Sequence, residues 1–145
     1  GTRLNYRFRA EKLVIGLDSG HYSVSNSQFK LASANDFGFS ASPDMLEYFH
    51  ADDDSCSLQV RVSGKKNLSV EIKKWDEKGR VWNQSTFPAA GKVNYGVSGL
   101  KSESRYAVEL NGQPFKTLKS DKNGSLSFDV NTGTNAANIA IRFTK

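Results

Sequence analysis

The sequence is poor in several residue types and patterns, and each scarcity excludes a class of protein. Cys56 is the only cysteine among 145 residues, which excludes an internal disulfide and a zinc site built from cysteines. No apolar run approaches the roughly 20 residues that a transmembrane helix needs. No window of about eleven or more residues carries a helical stripe of apolar side chains. We therefore expect a chain without helices and without a membrane span.

Motifs of common catalytic and nucleic-acid-binding classes are also absent from the sequence. No GxSxG nucleophile motif lies near His21 or His50, and no glycine-rich phosphate loop is present. The net charge of +5 favours acidic partners by long-range attraction. The basic residues are scattered and do not form the dense clusters of a nucleic-acid-binding module. These features predict a non-catalytic protein with an acidic partner other than nucleic acid.

The sequence does contain a regular series of short strand patterns. Leu58, Val60 and Val62 alternate with polar residues, and turn residues separate such runs about every eight to twelve positions. This pattern predicts an all-β chain of about ten to twelve strands in an antiparallel two-sheet sandwich or jelly roll. We expect one sandwich domain over residues 1–145, and the alternative is a minor boundary near residues 87–91, where FPAAG is similar to a linker.

The segment LSVEIKKWDEKGRVWNQ, residues 68–84, predicts a hairpin with an unusual outer face. If DEKG is the turn, Trp75 pairs with Arg80 and Lys73 pairs with Trp82. Strand alternation then places these four side chains on one side, opposite the apolar residues of the first strand. Two indoles beside two cations can stack on a sugar ring and pair with acidic groups. The alternative is a tryptophan in the core, since a one-residue change of register turns it inward.

Two further groups of charged residues are candidate sites. Arg7 and Arg9 lie on the polar side of the predicted first strand, and they would extend the hairpin platform if this strand lies beside the hairpin. The alternative is a solvated face that protects an edge strand. Asp52, Asp53 and Asp54 offer oxygen ligands to calcium, but the side chains of such a triplet cannot all converge on one ion. We therefore expect a solvated turn and no cofactor, with structural calcium as the alternative.

The segment VSGLKSESRYAVEL, residues 97–110, resembles the corner between two strands of fibronectin type III-like sandwiches. In these, a Gly-Leu pair precedes a tyrosine whose hydroxyl caps the corner. The continuation, with its Asn-Gly and Ser-Asp-x-x-Gly turns, resembles accessory β-sandwich modules of bacterial polysaccharide lyases and glycoside hydrolases. The resemblance covers residues 91–143. It implies a fibronectin III-like or jelly-roll sandwich, secreted or on the cell surface, and covalently attached to a catalytic domain.

These features predict a non-catalytic carbohydrate-binding module that holds a polysaccharide-degrading enzyme near its substrate. The positive charge predicts that the polysaccharide is anionic. The expected ligand-binding residues are Trp75, Trp82, Lys73, Arg80, Arg7 and Arg9. One alternative is a structural or protein-interaction sandwich without a glycan site, which buried tryptophans would favour. The third is a small polysaccharide-active enzyme.

Overall fold

The computed structural model describes residues 21–24, 29–32, 37–42, 45–50, 57–62, 67–87, 91–131 and 136–144. These ranges contain no helix, and so none that could cross a bilayer; their strands form two sheets. The strands are β1 (His21–Val24), β2 (Phe29–Ala32), β3 (Phe37–Ser42), β4 (Met45–His50), β5 (Leu58–Val62), β6 (Asn67–Trp75), β7 (Gly79–Phe87), β8 (Val93–Val97), β9 (Arg105–Leu110), β10 (Gln113–Lys119), β11 (Leu126–Val130) and β12 (Ala136–Phe143). The predicted all-β sandwich class is confirmed.

The two sheets differ in size and connectivity. The larger sheet has the order β1-β2-β6-β7-β12-β9-β10, and the smaller has the order β11-β8-β5-β4-β3. The strand pairs are antiparallel except for β2 with β6, which is parallel. Parallel neighbours need a crossover connection, and here β3, β4 and β5 in the other sheet provide it. One pair therefore departs from the predicted antiparallel arrangement.

Strands from both sides of residues 88–90 contribute to both sheets. In the larger sheet β12 lies between β7 and β9, and in the smaller sheet β8 lies between β5 and β11. The segment considered as a minor boundary therefore joins a strand of one sheet to a strand of the other. The assignment of residues 1–145 to one domain stays a prediction, because residues 1–20 lie outside the described ranges.

The core lies between the two sheets and follows directly from the alternating sequence pattern. In β5 and β8 the apolar residues are buried, and the residues between them are half-buried or exposed. Each large apolar side chain that is fully buried contributes roughly 1.5–3 kcal/mol. The largest fully buried side chains are Trp82, Tyr48, Tyr95, Tyr106, Leu46, Leu58, Leu68 and Ile139.

The connection from β8 to β9 forms a corner around Tyr106. Gly99 has a φ of 75°, which a glycine adopts without strain, and Leu100 turns into the core. The Tyr106 hydroxyl accepts a hydrogen bond from the backbone N–H of Lys101 at 2.9 Å. The tyrosine corner that the resemblance implied is therefore present. Membership of a fibronectin III-like or accessory-module family stays a prediction.

Candidate functional site

The β6–β7 hairpin has the predicted pairing at its tip and a different pairing further along. Trp75 pairs with Arg80, as predicted, but Trp82 pairs with Ile72. A β-bulge leaves Lys73 without a partner in the register, so two residues of β6 occupy the space of one. Because the bulge adds one residue, Trp75 turns to the core side of the sheet, the same side as Ile72.

The outward platform of two tryptophans and two cations is therefore wrong. Trp82 has 0% of its surface exposed and Arg80 has 6%, so neither can contact a ligand in this conformation. Trp75 is half-buried and packs against the core. Lys73 is exposed on the opposite face, where its Nζ lies 3.0 Å from the Glu71 carboxylate. The bulge therefore places Trp75, Arg80 and Trp82 on the core side of the sheet and Lys73 on the outer side.

Trp75 belongs to an aromatic cluster at the rim of the core. Its ring lies 5.4 Å from the Tyr48 ring in an edge-to-face arrangement and 5.8 Å from the His50 ring, which stacks on it. The Trp82 ring is 6.4 Å away on the inner side. Such aromatic pairs each contribute about 0.5–1.5 kcal/mol beyond the area they bury. The environment of Trp75 is that of a packing residue.

Arg80 is enclosed beside this cluster. Its guanidinium carbon lies 4.9 Å from the centroid of the Trp75 ring, and its Nη2 donates to the Gly99 carbonyl oxygen at 3.1 Å. Its Nε and Nη1 are buried without a hydrogen-bond partner. Burial lowers the pKa of Arg80, since desolvation disfavours the charged form. Arg80 therefore joins the hairpin to the β8–β9 corner and presents no charge to solvent.

The remaining candidate residues are not placed by the structure. Arg7 and Arg9 lie outside the described residues, as do Asp52, Asp53 and Asp54. Their roles stay predictions. Within the described ranges, no group of three or more His, Cys, Asp or Glu side chains is arranged to hold a metal ion.

A row of polar side chains crosses the outer face of the larger sheet, where the sequence had not indicated a site. Glu71 on β6 pairs with Asn83 on β7, which pairs with Asn138 on β12. The Asn83 amide donates to Glu71 Oε1 at 3.3 Å, and its oxygen accepts from Asn138 Nδ2 at 2.7 Å. Asn111 completes the row, since its Oδ1 accepts from the Asn138 backbone N–H at 2.8 Å. We call these four residues the polar row.

The turn between β9 and β10 positions the last member of this row. Asn111 and Gly112 both have positive φ values, 52° and 78°, as required at the two central positions of a type I′ hairpin turn. The backbone N–H of Asn111 donates to the Asn138 carbonyl oxygen at 2.8 Å. The Asn-Gly turn therefore fixes Asn111 against β12 through two hydrogen bonds.

The polar row lines a depression of about 480 Å³ on this outer face. Ser69 pairs with Ser85, which pairs with Ala136, so a second row of small side chains runs beside the first. Because these side chains are small, they leave open the space that the longer amide and carboxylate side chains border. The depression is a shallow groove lined with hydroxyl, amide and carboxylate groups. Its principal lining residues are Ser69, Glu71, Asn83, Ser85, Asn111 and Asn138.

The groove could be anticipated only in part from sequence. Glu71 is outward in the alternating strand 68–72, and correct placement of the bulge would have turned Asn83 outward as well. The contact between Asn83 and Asn138 joins positions 55 apart, so it depends on which strand pairs with β7. No local pattern carries that information.

The groove, the enclosed tryptophan cluster and the Tyr106 corner are the features of the described residues that bear on function. The first two depend on strand pairing: the bulge in β6 brings the tryptophans together, and the position of β12 beside β7 forms the groove. No protein-family model, curated protein or solved structure matches this chain.

Proposed function

We propose that this domain is a non-catalytic carbohydrate-binding module whose ligand lies in the groove on the outer face of the larger sheet. The observation that carries the proposal is the polar row, in which Glu71, Asn83, Asn138 and Asn111 are joined by hydrogen bonds. Sugar hydroxyls both donate and accept hydrogen bonds, and the row offers both functions side by side.

The amides in this row are held in place and still have bonding capacity. Asn83 uses one of its two N–H donors and one of its two oxygen lone pairs within the row. The remaining N–H and lone pair are available to a ligand. Because neighbouring side chains already fix the amide, binding does not have to order it, which lowers the entropic penalty.

The lining also indicates the strength of binding. Each neutral hydrogen bond contributes a net ~0.5–1.5 kcal/mol, and none of the described side chains that line the groove is aromatic. Four such bonds at about 1–1.4 kcal/mol each sum to about 4–5.5 kcal/mol, which corresponds to a Kd of about 0.1–1 mM. An affinity of this size suits a module that keeps an attached enzyme near a polymeric substrate, where many copies of the ligand are present.

This proposal includes the wider context expected from the sequence. The module would be covalently attached to a polysaccharide lyase or glycoside hydrolase and secreted or held at the cell surface of a bacterium. Its positive net charge of +5 supports an anionic polysaccharide. The binding residues would be those of the groove in place of buried Trp82 and half-buried Trp75.

Affinity electrophoresis against a panel of neutral and acidic polysaccharides tests the groove. The wild type is compared with Asn83→Ala/Asn138→Ala and with the control Asn94→Ala/Asn123→Ala. The control removes two amides outside the groove, from half-buried Asn94, which donates to Asp129 on the smaller sheet, and from exposed Asn123. We expect the groove variant to lose at least about tenfold in affinity, equal to about 1.4 kcal/mol, while the control does not change.

A structural or protein-interaction sandwich is the second candidate, and the burial of Trp82 favours it. Failure of the folded wild-type protein to bind any polysaccharide of the panel would support this candidate over the first. Equal weakening in the groove variant and the control would also argue against the groove. Turnover of the same panel would identify the third candidate, a small polysaccharide-active enzyme.

A further inference from the structure

We propose that Arg105 and Lys119 form a separate binding site for carboxylate or sulfate groups of an anionic polysaccharide. The two residues pair directly across β9 and β10. Both are exposed, and their inward neighbours Tyr106 and Leu118 turn towards the core, so both cations lie on the outer face of the larger sheet. Neither forms a salt bridge within the part of the chain that the structure describes.

Two like charges directly opposite each other destabilise a sheet. Arg142, the nearby cation on β12, is neutralised by Glu109, with Nε 2.6 Å from Oε1. Among the residues that the structure describes, Arg105 and Lys119 have no such partner. An anion that bridges them would relieve the repulsion and form charge-assisted hydrogen bonds, for which the planar guanidinium fork is well suited.

The surrounding charges strengthen the positive field at this end of the sheet. Lys101 and Lys122 are exposed in the β8–β9 and β10–β11 connections, as are Glu103 and Asp121, and the Glu103 backbone N–H donates to the Asp121 carbonyl oxygen at 3.0 Å. The Asp121 carboxylate is already engaged, because its Oδ1 accepts two backbone N–H groups of its own turn. Cations therefore outnumber carboxylates at this corner.

Protection of a sheet edge explains only part of this arrangement. β10 is an edge strand, and lysines on edge strands discourage pairing with other chains. β9 is not an edge, since it pairs with β12 on one side and β10 on the other. Edge protection can therefore account for Lys119 but not for Arg105 opposite it.

Arg105 and Lys119 lie on the same outer face as the groove, although the anion site does not require the groove to bind a ligand. Arg105 and Asn111 stand at opposite ends of β9, six residues apart, a span of ~20 Å at the rise of an extended strand. A polymer could lie along the outer face with hydroxyls in the groove and an acidic group at Arg105 and Lys119. This joint occupancy rests on the proposed function, whereas the anion site itself does not.

Binding of dextran, dextran sulfate and polygalacturonate to the whole chain, measured by calorimetry, tests the site. Arg105→Gln/Lys119→Gln is compared with the control Lys74→Gln/Lys92→Gln, which also removes two positive charges. Both control lysines are exposed and already paired, Lys74 with Asp76 at 3.7 Å and Lys92 with Asp129 at 3.3 Å. Circular dichroism confirms that each variant is folded.

We expect the Arg105/Lys119 variant to lose about tenfold or more in affinity for dextran sulfate or polygalacturonate. The control should lose less than about twofold, because exposed paired charges contribute little. Equal losses in both variants would mean that net charge alone attracts the polymer, and no binding by the wild type would also overturn the site. If an acidic polymer binds through Arg105 and Lys119 while Asn83→Ala/Asn138→Ala has no effect, the anion site stands and the groove proposal falls.

Discussion

Trp75 and Arg80 pair across the β6–β7 hairpin, and the guanidinium carbon of Arg80 lies 4.9 Å from the centroid of the indole ring. Arg80 has only 6% of its surface exposed, yet its Nε and Nη1 have no hydrogen-bond partner. An enclosed cation normally has a carboxylate beside it. Here the guanidinium contacts a π face and the Gly99 carbonyl oxygen, while the carboxylates of Asp76 and Glu77 act on its charge without a direct ion pair among the described residues.

Arg80→Met should therefore leave the free energy of unfolding within about 1 kcal/mol of the wild type. Methionine keeps most of the packing volume and removes the desolvation penalty of the charge, although it also removes one hydrogen bond and the contact with Trp75. Arg80→Ala should lose about 2 kcal/mol or more, since it also leaves a cavity. Urea unfolding measures both. A loss above about 3 kcal/mol in Arg80→Met would show that the charge itself is required.

The two tryptophans should differ in their access to solvent. Trp75→Phe leaves fully buried Trp82 as the only indole, so we expect blue-shifted emission and weak quenching by acrylamide. Trp82→Phe leaves half-buried Trp75, which should be quenched more strongly. Strong quenching of Trp82 in the folded protein would contradict the bulge in β6. Because neither indole lines the groove, saturating glycan should not change the emission.

The strands and one corner of this fold were predictable from sequence, for physical reasons. Apolar residues at every second position can be buried only on one face of a strand, so β5 and β8 follow from Leu58–Val62 and Val93–Val97 alone. The pairing of Trp75 with Arg80 follows from the length of the turn. The corner was expected from the resemblance of residues 97–110 to fibronectin type III-like sandwiches, and the Tyr106 hydroxyl does accept a hydrogen bond from the Lys101 N–H.

The candidate site was less predictable, because it depends on a bulge and on distant pairing. Lys73 and Lys74 are consecutive exposed residues that interrupt the alternation, and this is the local sign of the bulge that turned Trp75 inward. Without the bulge, both tryptophans are assigned to the wrong face. The polar row needs β12 beside β7, and strand order in a sheet is set by the packing of the whole chain.

Tyr106→Phe should destabilise the domain by about 1–2 kcal/mol, because the Lys101 N–H loses its acceptor in a partly buried corner. The change removes one oxygen atom and keeps the ring, which packs 5.6 Å from the Phe143 ring. Urea unfolding should show a lower midpoint with an unchanged slope. An unchanged midpoint would mean that the hydroxyl adds nothing to the corner.

Stability should fall at alkaline pH, in part because of Tyr95. Its hydroxyl donates to Gln84 Oε1 at 2.8 Å inside the core, and burial raises the pKa of the Tyr95 phenol above its ordinary value. Because the folded state holds the phenol proton more tightly than the unfolded state does, the stability of the fold is unaffected below the unfolded pKa of about 10. Stability then falls as the pH rises above that value. The slope from this group is about 1.4 kcal/mol per pH unit.

The matched variant for this pH dependence is Tyr95→Phe. It should start less stable at neutral pH, because the buried Gln84 oxygen loses its donor. Its stability should then decline less steeply between about pH 10 and 11 than that of the wild type. Parallel declines in the two proteins would show that other groups cause the alkaline loss.

The position of β12 has a consequence for the order in which the protein can assemble during synthesis. Its residues Ala136–Phe143 pair with β7 on one side and β9 on the other, so they join two parts of the larger sheet that share no other pairing among the described strands. A ribosome that has not yet released these residues carries a chain whose larger sheet is split in two. Asn83 and Asn111 then lie on separate pieces, and the groove is created only when Asn138 arrives between them. The proposed glycan site therefore cannot form until translation has passed Asn138.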